Sequence, residues 1–512
     1  MKQQRNLPSR VSLVAALVAA LACMPAHAVD SGSTGADGAL NPTVNTEIQL
    51  PPSGILNYTS VNIPAGVTVK FKPNAANTPV YLLASGDVTI AGTIDVRGGD
   101  AAATGTDGDG AQGDDGVPGV GGPGGFAGGR GGRDDAAQRA AIIRGGAGLG
   151  PGGGFGGVEG GDGCTASGYY HYAGAGGAYA NDAYQWRAKW GCSGTLTHAT
   201  AYGSSLLQPL VGGSGGGGGR GGINYPGSGG GGGGGAILIA SSGMLTLTGV
   251  VDATGGDGGG LAGTNAGGRG AGGSGGAIRL LATSVTGNGK LYAPGGCISS
   301  GGNRRQNCGF SGGYNESGGS EGRIRIEGDA INFTGTTSPT YVRGDVGPVF
   351  IASAPALRIA SVAGKPVPAT PTGINDVSLP ADTTGPVEVT FETTNVPVGN
   401  TVQLRVVPAY GTTTEAISPA ITGSTAAGTA AVSVTLPQGP STLQATTTYT
   451  VVVASLDSGM AGKLSRFAQN EAVEKVEVSV ALSGGARARL ITGSGKSFEL
   501  PYAALSSIGF RG

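Results

Sequence analysis

The stretch VYLLASGDVTIAGTIDVRGGD, residues 80–100, decides the fold because the chain repeats it. Related units are AILIASSGMLTLTGVVDATGGD (236–257), AIRLLATSVTGNGKLYAPGGC (277–297) and the shorter RIRIEGDAINFTG (323–335). Each unit holds short runs rich in Val, Ile, Leu and Thr between small turns, which is typical of strands. The alternation VTI at 88–90 and LTL at 245–247 predicts a buried face. One unit cannot bury that face alone, so stacking into a parallel β-helix or solenoid is predicted.

Glycine-rich insertions separate the repeats, at about residues 99–161, 212–235, 255–276 and 295–322. The first insertion has glycine at every third position from Gly110 to Gly131. Three residues per turn is the polyproline-II repeat, and glycine at every third position leaves an edge without side chains. We therefore expect polyglycine-II-like helices that pack against one another within the chain. A collagen-like trimer and flexible loops are the alternatives, and the run from Gly229 to Gly235 is uniform enough for local disorder.

The composition changes after about residue 345. Pro366, Pro368 and Pro371 mark a linker. The runs VEVTFETT, TVQLRVVPAY, AAVSVTL and TTYTVVVAS within 385–455 predict an immunoglobulin- or fibronectin-like β-sandwich, and 471–500 predict a small C-terminal β-unit. The predicted all-β chain is divided into a signal peptide (1–28), a glycine-rich β-helix-like domain (29–345), a linker (346–372), a sandwich (373–456) and the C-terminal unit (457–512).

The N-terminus has the pattern of a secretory signal. Basic residues precede a short apolar run at 11–23, and Ala26-His27-Ala28 fits the small-x-small cleavage rule, so the mature chain is expected to begin at Val29. The run is too short for a permanent transmembrane helix, and no other segment is long and apolar enough for one. A lipoprotein anchored at Cys23 is the alternative. We expect a protein that is secreted or held at the bacterial cell surface.

The charge of the mature chain argues against nucleic acid as a partner. Removing three basic signal residues leaves 31 − 3 = 28 Lys and Arg against 32 Asp and Glu, a net charge of −4. Nucleic-acid binding proteins present clustered positive charge instead.

Four cysteines remain after cleavage, and an even number in an exported chain indicates disulfides. Three pairings are open, of which Cys164–Cys192 with Cys297–Cys308 closes the shortest loops. A zinc site is the competing interpretation, but the sequence has no Cys-x-x-Cys spacing. We predict no metal and no other cofactor.

Several motif matches are discounted as catalytic signals. Residues 212–216 and 272–276 fit G-x-S-x-G, but a nucleophile elbow needs a strand before it and a helix after it. Arg323, Arg325 and Glu327 alternate along one predicted strand and so share a face. We interpret that face as solvated, in preference to the acid–base pair of a polysaccharide-active enzyme. The acidic cluster at 107–115 is interpreted as a solvated turn in preference to a calcium loop.

An aromatic stretch between residues 164 and 202 is the candidate ligand-binding site. Aromatic faces stack on sugar rings and fill protein interfaces. A local core that covers the glycine scaffold is the alternative. The candidate residues are Tyr169, Tyr170, His171, Tyr172, Tyr184, Trp186 and Trp190.

Five stretches resemble a group of bacterial exported glycine-rich repeat surface proteins. They are DGALNPT (37–43), ILNYTSVNIPAGVTVKFK (55–72), residues 80–99, YGSSLLQPLVGGSGG (202–216) and SGGAIRLL (274–281). The resemblance covers roughly residues 35–330 and implies an exported, surface-associated protein. It carries no catalytic residues to this chain.

Three functions are compatible with the sequence. The first is a non-catalytic structural protein of the surface or extracellular matrix, a filament or surface-layer component, with its own copies or other matrix components as partners. The second is an adhesin or carbohydrate-binding protein that uses the aromatic stretch 164–202 to bind glycans. The third is a β-helix enzyme that acts on polysaccharides.

Overall fold

The structure is a computed structural model, and its strand content decides the fold class. Strands make up 39% of the chain and helices 4%, so the protein is nearly all β, as predicted. The described residues are 29–74, 77–102, 116–135, 137, 140–157, 173–184, 198–222, 226–260, 268–298, 318–350, 354–368, 376–408, 413–456, 459–482 and 485–511.

The strands before residue 345 are short, and most belong to the predicted repeats. They are β1 Ala39–Leu40, β2 Thr46–Gln49, β3 Ile55–Tyr58, β4 Ser60–Ile63, β5 Thr68–Lys72, β6 Val80–Ala84, β7 Val88–Ile90, β8 Thr93–Asp95, β9 Ala183–Tyr184, β10 His198–Ala199, β11 Ala236–Leu247, β12 Val250–Asp252, β13 Ala277–Gly287, β14 Lys290–Tyr292, β15 Arg323–Glu327, β16 Ala330–Phe333, β17 Thr336–Ser338 and β18 Val342–Gly344.

Apart from the antiparallel pair β9–β10, these strands pair in parallel and in chain order. The first ladder runs β3-β6-β11-β13-β15-β18, the second β1-β4-β7-β11-β13-β16, and the third β2-β5-β8-β12-β14-β17. β11 and β13 are long enough to contribute to two ladders. Val80, Ile237, Ile278 and Ile324 occupy one row of the first ladder, so the repeats stack in register as their alignment predicts.

All three ladders send apolar side chains into one core. Leu82 of the first ladder, Ile90 of the second and Ile94 of the third belong to the same buried cluster and are fully buried. The branched residues of successive repeats thus lie over one another, which removes from water the apolar face that a single repeat would expose.

The first ladder is also buried on its other face. Leu83, Leu238 and Leu281 form a second cluster with Leu207 and Leu210 from the segment that precedes the glycine run at 212–222. This explains why β6, β11 and β13 open with nearly continuous apolar runs, since strands covered on both faces need no polar alternation.

The C-terminal strands form two antiparallel sheets that enclose one buried cluster. The strand orders are β20-β19-β21-β25-β24 and β23-β22-β26-β27-β28-β29. The bounds are β19 Ala356–Val362, β20 Lys365–Pro366, β21 Val387–Thr394, β22 Val402–Pro408, β23 Thr414–Ile417, β24 Thr422–Gly423, β25 Gly428–Val434, β26 Ser441–Val452, β27 Val473–Ala481, β28 Gly485–Thr492 and β29 Ser497–Pro501.

Two segments lie elsewhere than the sequence led us to expect. Residues 356–366, placed in the linker, form β19, which pairs with β21, and β20, which pairs with β19. Strands β27 to β29, expected as a small C-terminal β-unit, continue the sheet of β22 and β26. The described helices are short, and they are Ala140–Ile143, Met460–Ser465 and Tyr502–Ser507.

Candidate functional site

The glycine insertions form a hydrogen-bonded body beside the parallel ladders, which we call the glycine lattice. Its described segments are 96–102, 116–133, 143–157, 173–180, 211–222, 226–235, 253–259, 268–276, 293–298 and 318–322. They are extended, and they pair through bonds that recur every third residue. This is the repeat of a chain with three residues per turn.

The segment 227–235 lies at the centre of the lattice. The N–H groups of Gly227, Gly230 and Gly233 donate to one neighbour, and those of Ser228, Gly231 and Gly234 donate to another. With the bonds that it accepts, the segment contacts six neighbours, which are residues 96–99, 119–122, 126–132, 213–219, 256–259 and 268–274. Segments 212–221 and 268–276 are each bonded to six neighbours in the same way.

Only the absence of a side chain permits this spacing. A Cβ atom on Gly230 would lie 2.0 Å from the oxygen of Gly216, and one on Gly231 would lie 2.0 Å from the oxygen of Gly256. Contacts this short do not occur, and a buried backbone oxygen cannot move aside without losing its hydrogen bond. Glycine is therefore a steric requirement at the lattice centre, and the run from Gly229 to Gly235 is an ordered element.

The outer segments follow a different rule. Side chains occur there at about every third residue, in triplets such as Val120-Gly121-Gly122 and Arg130-Gly131-Gly132. Val120 is 64% exposed, and within the described residues the N–H groups of Val120, Ala127 and Ala147 donate to no protein acceptor. We call these side-chain positions the lattice rim, and they are Arg97, Asp100, Val117, Val120, Ala127, Arg130, Arg133, Arg144 and Ala147.

The serines of the two G-x-S-x-G matches belong to the lattice. Ser214 Oγ donates to the Tyr202 hydroxyl at 3.0 Å and accepts from the N–H of Gly152 at 3.0 Å. Ser274 Oγ accepts from the N–H of Ser214 at 2.8 Å. Both serines are fully buried in extended segments, so their hydroxyls serve as lattice hydrogen-bonding groups.

An aromatic patch joins the lattice to the C-terminal sheets. Tyr179 and Tyr202 are buried with their ring centroids 4.8 Å apart, and the Arg323 guanidinium lies 5.5 Å from the Tyr179 ring centroid. Burial raises the pKa of both phenols. On the opposite side, burial lowers the pKa of Arg487 of β28. The Gln444 side chain of β26 donates to the oxygen of Gly150 at 3.2 Å, so the two halves of the chain are in contact.

A buried ionic cluster replaces the solvated face that we expected on β15. The Arg279 guanidinium makes two bonds to the Glu327 carboxylate, at 3.0 and 2.8 Å, and Arg325 and the Gly347 N–H also donate to it. Glu327 is only 1% exposed, so the expectation of solvation is wrong. The physical reason is coverage, because residues 347–350 lie over this part of the first ladder.

Charge compensation at Glu327 outweighs its burial. Burial alone would raise the pKa of this carboxyl, but the bonds and charge of Arg279, with the Gly347 amide and Arg325, hold the pKa below its usual value. Arg279 also donates to the oxygen of Pro348 at 3.1 Å, which fastens the covering segment. One feature of the sequence indicates this cluster, because Arg279 and Arg325 occupy the same position in two repeats.

The other repeat charges form a more exposed group on the third ladder. Asp95 accepts two hydrogen bonds from the Arg97 side chain, at 3.1 and 3.0 Å, and lies 3.4 Å from the Lys70 ammonium. Burial would raise the pKa of Asp95, but Arg97 and Lys70 hold it below its usual value. Asp95 and Arg97 thus pair along the chain, and Lys70 pairs with Asp95 across neighbouring strands.

Most of the predicted ligand-binding residues lie outside the described residues. These are Tyr169, Tyr170, His171, Tyr172, Trp186 and Trp190, with the cysteines Cys164, Cys192 and Cys308. The backbone of Tyr184 pairs with that of His198 in the β9–β10 pair. Cys297 is disulfide-bonded, and which of the three pairings the chain adopts stays a prediction.

Neither a metal centre nor a membrane-spanning helix is found in the part of the chain that the structure describes. No group of three or more His, Cys, Asp or Glu side chains there could hold a metal ion. No described helix is long and apolar enough to cross a membrane. No protein-family model, curated protein or solved structure matches the chain.

Proposed function

We propose that the protein is an exported, non-catalytic structural protein of the cell surface or extracellular matrix. In this proposal a parallel β-helix carries a polyglycine-II-like lattice, and an immunoglobulin-like sandwich follows it. The observation that carries the proposal is the bonding of three central glycine segments to six neighbours each. A segment that is hydrogen-bonded to neighbours all around it resists sliding past any of them. This property suits a mechanical role.

The strand pairing supports the β-helix part of the proposal. Three parallel ladders follow chain order, and one core lies between them. A chain that winds regularly through three faces produces this pattern, because each repeat then contacts mainly the repeats before and after it.

The spacing of the hydrogen bonds supports the polyglycine-II part. At a rise of about 3.1 Å per residue, the nine residues 227–235 would span roughly 28 Å. The lattice would therefore project as a stiff body from the side of the β-helix. Stiffness here comes from backbone bonds and close contact and needs no side-chain core.

The state of the carboxylates favours a structural role over the enzyme alternative. Polysaccharide-active enzymes need an acid and a base that are free to exchange protons. Glu327 accepts four hydrogen bonds and is buried, and Asp95 is bound by Arg97. Both are committed to structural partners.

Cell fractionation and electron microscopy test the proposal. In cells that export the protein, we expect it in the surface or matrix fraction, accessible to externally added protease. The purified chain 29–512 should form ordered filaments or sheets. Discrete monomers at every concentration, combined with release into the medium, would contradict the structural role. The control is the Gly231→Ala chain, in which the lattice cannot close. If assembly depends on the folded lattice, this chain should form no filaments or sheets.

An adhesin is the second candidate, and the ends of the lattice segments favour it. Hydrogen bonds join Ala101 to Asp257, Gly157 to Gly218, Ser228 to Gly268, and Gly258 to Cys297. Each of these residues lies close to the end of a described segment, so these segment ends lie together at one end of the lattice. Segment ends that are grouped on a scaffold of bonded backbone are a common location for binding sites.

Glycan binding separates the two candidates. If the aromatic stretch binds glycans, Trp186→Ala with Trp190→Ala should abolish retention on a glycan array, and the Phe467→Ala chain, altered at an exposed aromatic of the C-terminal half, should still bind. No binding by the unaltered protein would leave only the structural candidate.

A further inference from the structure

The first residues after the predicted signal peptide cross the outer face of the first ladder. We call residues 29–37 the N-terminal strap. Its contacts follow the order of the strands: Val29 lies at β13, Ser31 at β11 and β6, and Ser33 at β3. The bonds are Val29 N–H to Thr283 Oγ1 (3.1 Å), Ser31 N–H to Ser242 Oγ (3.1 Å), Ser31 Oγ to the Ala84 oxygen (2.7 Å) and Ser33 Oγ to the Tyr58 oxygen (2.7 Å).

The start of the strap is part of the core. Val29 is 5% exposed and belongs to the cluster of Leu83, Leu238 and Leu281 on the outer face of the first ladder. Ser31 is fully buried, with its hydroxyl and its N–H both bonded to the ladder. A surface tail that carries no structural role would not be held in this way, since chain ends are usually poorly ordered.

Its position conflicts with a signal peptide that is still attached. Only residues 24–28 separate Val29 from the apolar run at 11–23, and five extended residues reach at most about 18 Å. While that run lies in a membrane, Val29 stays close to the bilayer surface. Docking of the strap would then force the outer face of the first ladder against the membrane, where residues 347–350 and 202–211 also have to pack.

We infer that cleavage between Ala28 and Val29 is a folding step of this protein, in which the new N-terminus becomes a structural group. Hydrolysis breaks the Ala28–Val29 peptide bond: the hydroxyl of water goes to the Ala28 carbonyl carbon, and its proton goes to the Val29 nitrogen. The freed α-amino group donates to Thr283 Oγ1, and the strap closes the outer face. The inference rests on the proposed export of the chain.

The experiment compares three exported full-length chains. In one, a Gly-Ser-Gly-Ser insertion after Ala28 moves the new amino group away from Thr283. In the second, Thr283→Val removes the acceptor. In the third, the exposed Thr43→Val is the matched control. Readouts are the N-terminal sequence, the melting temperature and hydrogen exchange of the amides of β11 and β13.

We expect the exported protein to begin at Val29. Thr283→Val should lower the melting temperature by roughly 1–2 °C and speed exchange in β11 and β13, and the insertion, which keeps an amide N–H on Val29, should lower it by a smaller amount, whereas Thr43→Val should change neither. Unchanged melting and exchange in the insertion chain would overturn the structural role of the amino group. A different N-terminal residue would overturn the cleavage position. A chain that is never exported would instead refute the proposed function.

Discussion

The glycine lattice and the C-terminal sheets bury their backbone by opposite means. In segment 227–235 no side chain is larger than that of serine, and the interior consists of backbone hydrogen bonds between close-packed segments. In the C-terminal sheets the strands are separated by a core of apolar side chains, including Phe391, Leu404 and Val478. One region is held together mainly by its backbone and the other mainly by its side chains.

The two kinds of packing differ in where they tolerate substitutions. A side-chain core can repack when volume is conserved, because rotamers adjust. The lattice centre has no rotamers to adjust, so any added atom meets a backbone oxygen. At the rim position Val120 the opposite holds, because its side chain is 64% exposed. Substitutions should therefore be tolerated least at the lattice centre and most at the lattice rim, although both belong to the same lattice.

The largest expected effect is at the lattice centre. Gly231→Ala should prevent the lattice from closing, with loss of soluble folded protein or a destabilisation above about 4 kcal/mol, because the new Cβ would lie 2.0 Å from the Gly256 oxygen. Soluble yield and thermal unfolding measure it. Gly385→Ala is the matched control: a Cβ there meets nothing within 4 Å, and we expect a change within about 0.5 kcal/mol. Equal behaviour of the two variants would remove the distinction between the regions.

The next effect concerns the ionic cluster beneath residues 347–350. Glu327→Gln should cost about 3–5 kcal/mol, because it leaves the buried Arg279 charge without a counter-charge. The exposed pair Arg358–Glu392, with side chains 45% and 47% exposed, is the control, and Glu392→Gln should cost at most about 1 kcal/mol. Denaturant unfolding measures both. A small loss for Glu327→Gln would mean that the cluster adds little to the attachment of the covering segment.

A core truncation in the C-terminal sheets should cost a similar amount but behave differently. Phe391→Ala should lower stability by about 3–5 kcal/mol through the cavity that it leaves, whereas Phe391→Leu should cost less than about 1.5 kcal/mol. This recovery by a conservative residue is what the lattice centre lacks. If any residue other than glycine at position 231 gave a stably folded protein, the contrast between backbone and side-chain packing would fail.

The order of the repeats was predictable, and the centre of the lattice was not. Ile237, Ile278 and Ile324 align by sequence and share a row in the structure, because strand register follows the apolar pattern. The run Gly229–Gly235 has no pattern, and its order depends on six other segments of the chain. The period of three in the first insertion predicted an extended repeat, and it did not reveal which segments become neighbours.

The ionic cluster shows a second limit of the sequence. Alternation on β15 indicated correctly that Arg325 and Glu327 share a face, but it could not indicate whether that face is covered. Coverage comes from residues 347–350, which the sequence placed in a linker. The aromatic candidates from Tyr169 to Trp190 lie mainly outside the described residues, so their role stays a prediction.

The ionic cluster, unlike the glycine lattice, should make the melting temperature depend on pH. The folded-state pKa of Glu327 is below its ordinary value, so its contribution is fully present above the unfolded pKa of about 4.3 and is lost as the pH falls through the folded value. As the pH is lowered below about 4.3, we expect the melting temperature to decrease, and we expect a smaller decrease in the Glu327→Gln chain. The Glu392→Gln chain should keep the steep fall. Identical profiles in all three chains would show that Glu327 does not control the acid response.

The smallest effect on stability is expected at the lattice rim. Val120→Ala should change the free energy of unfolding by less than about 0.5 kcal/mol, because the side chain lies mainly in solvent. We expect this side chain to limit association instead. The N–H groups of Val120, Ala127 and Ala147 donate to no described acceptor, so a bare rim would offer a further glycine segment the same bonds that join the inner segments. Side chains at every third position hold such a segment away, much as charges and prolines protect the edge of a β-sheet.

A rim without side chains tests this argument. The chain with Val117, Val120, Ala127, Arg130 and Ala147 all changed to glycine should form dimers or larger species in sedimentation equilibrium. A chain with serine at the same five positions keeps a Cβ at each of them. This chain should not associate through the rim. If the glycine chain shows no more association than the serine chain, side chains do not limit lattice growth. Association of the glycine chain beyond that of the serine chain would mean that the side chains of the rim keep copies from meeting through the lattice.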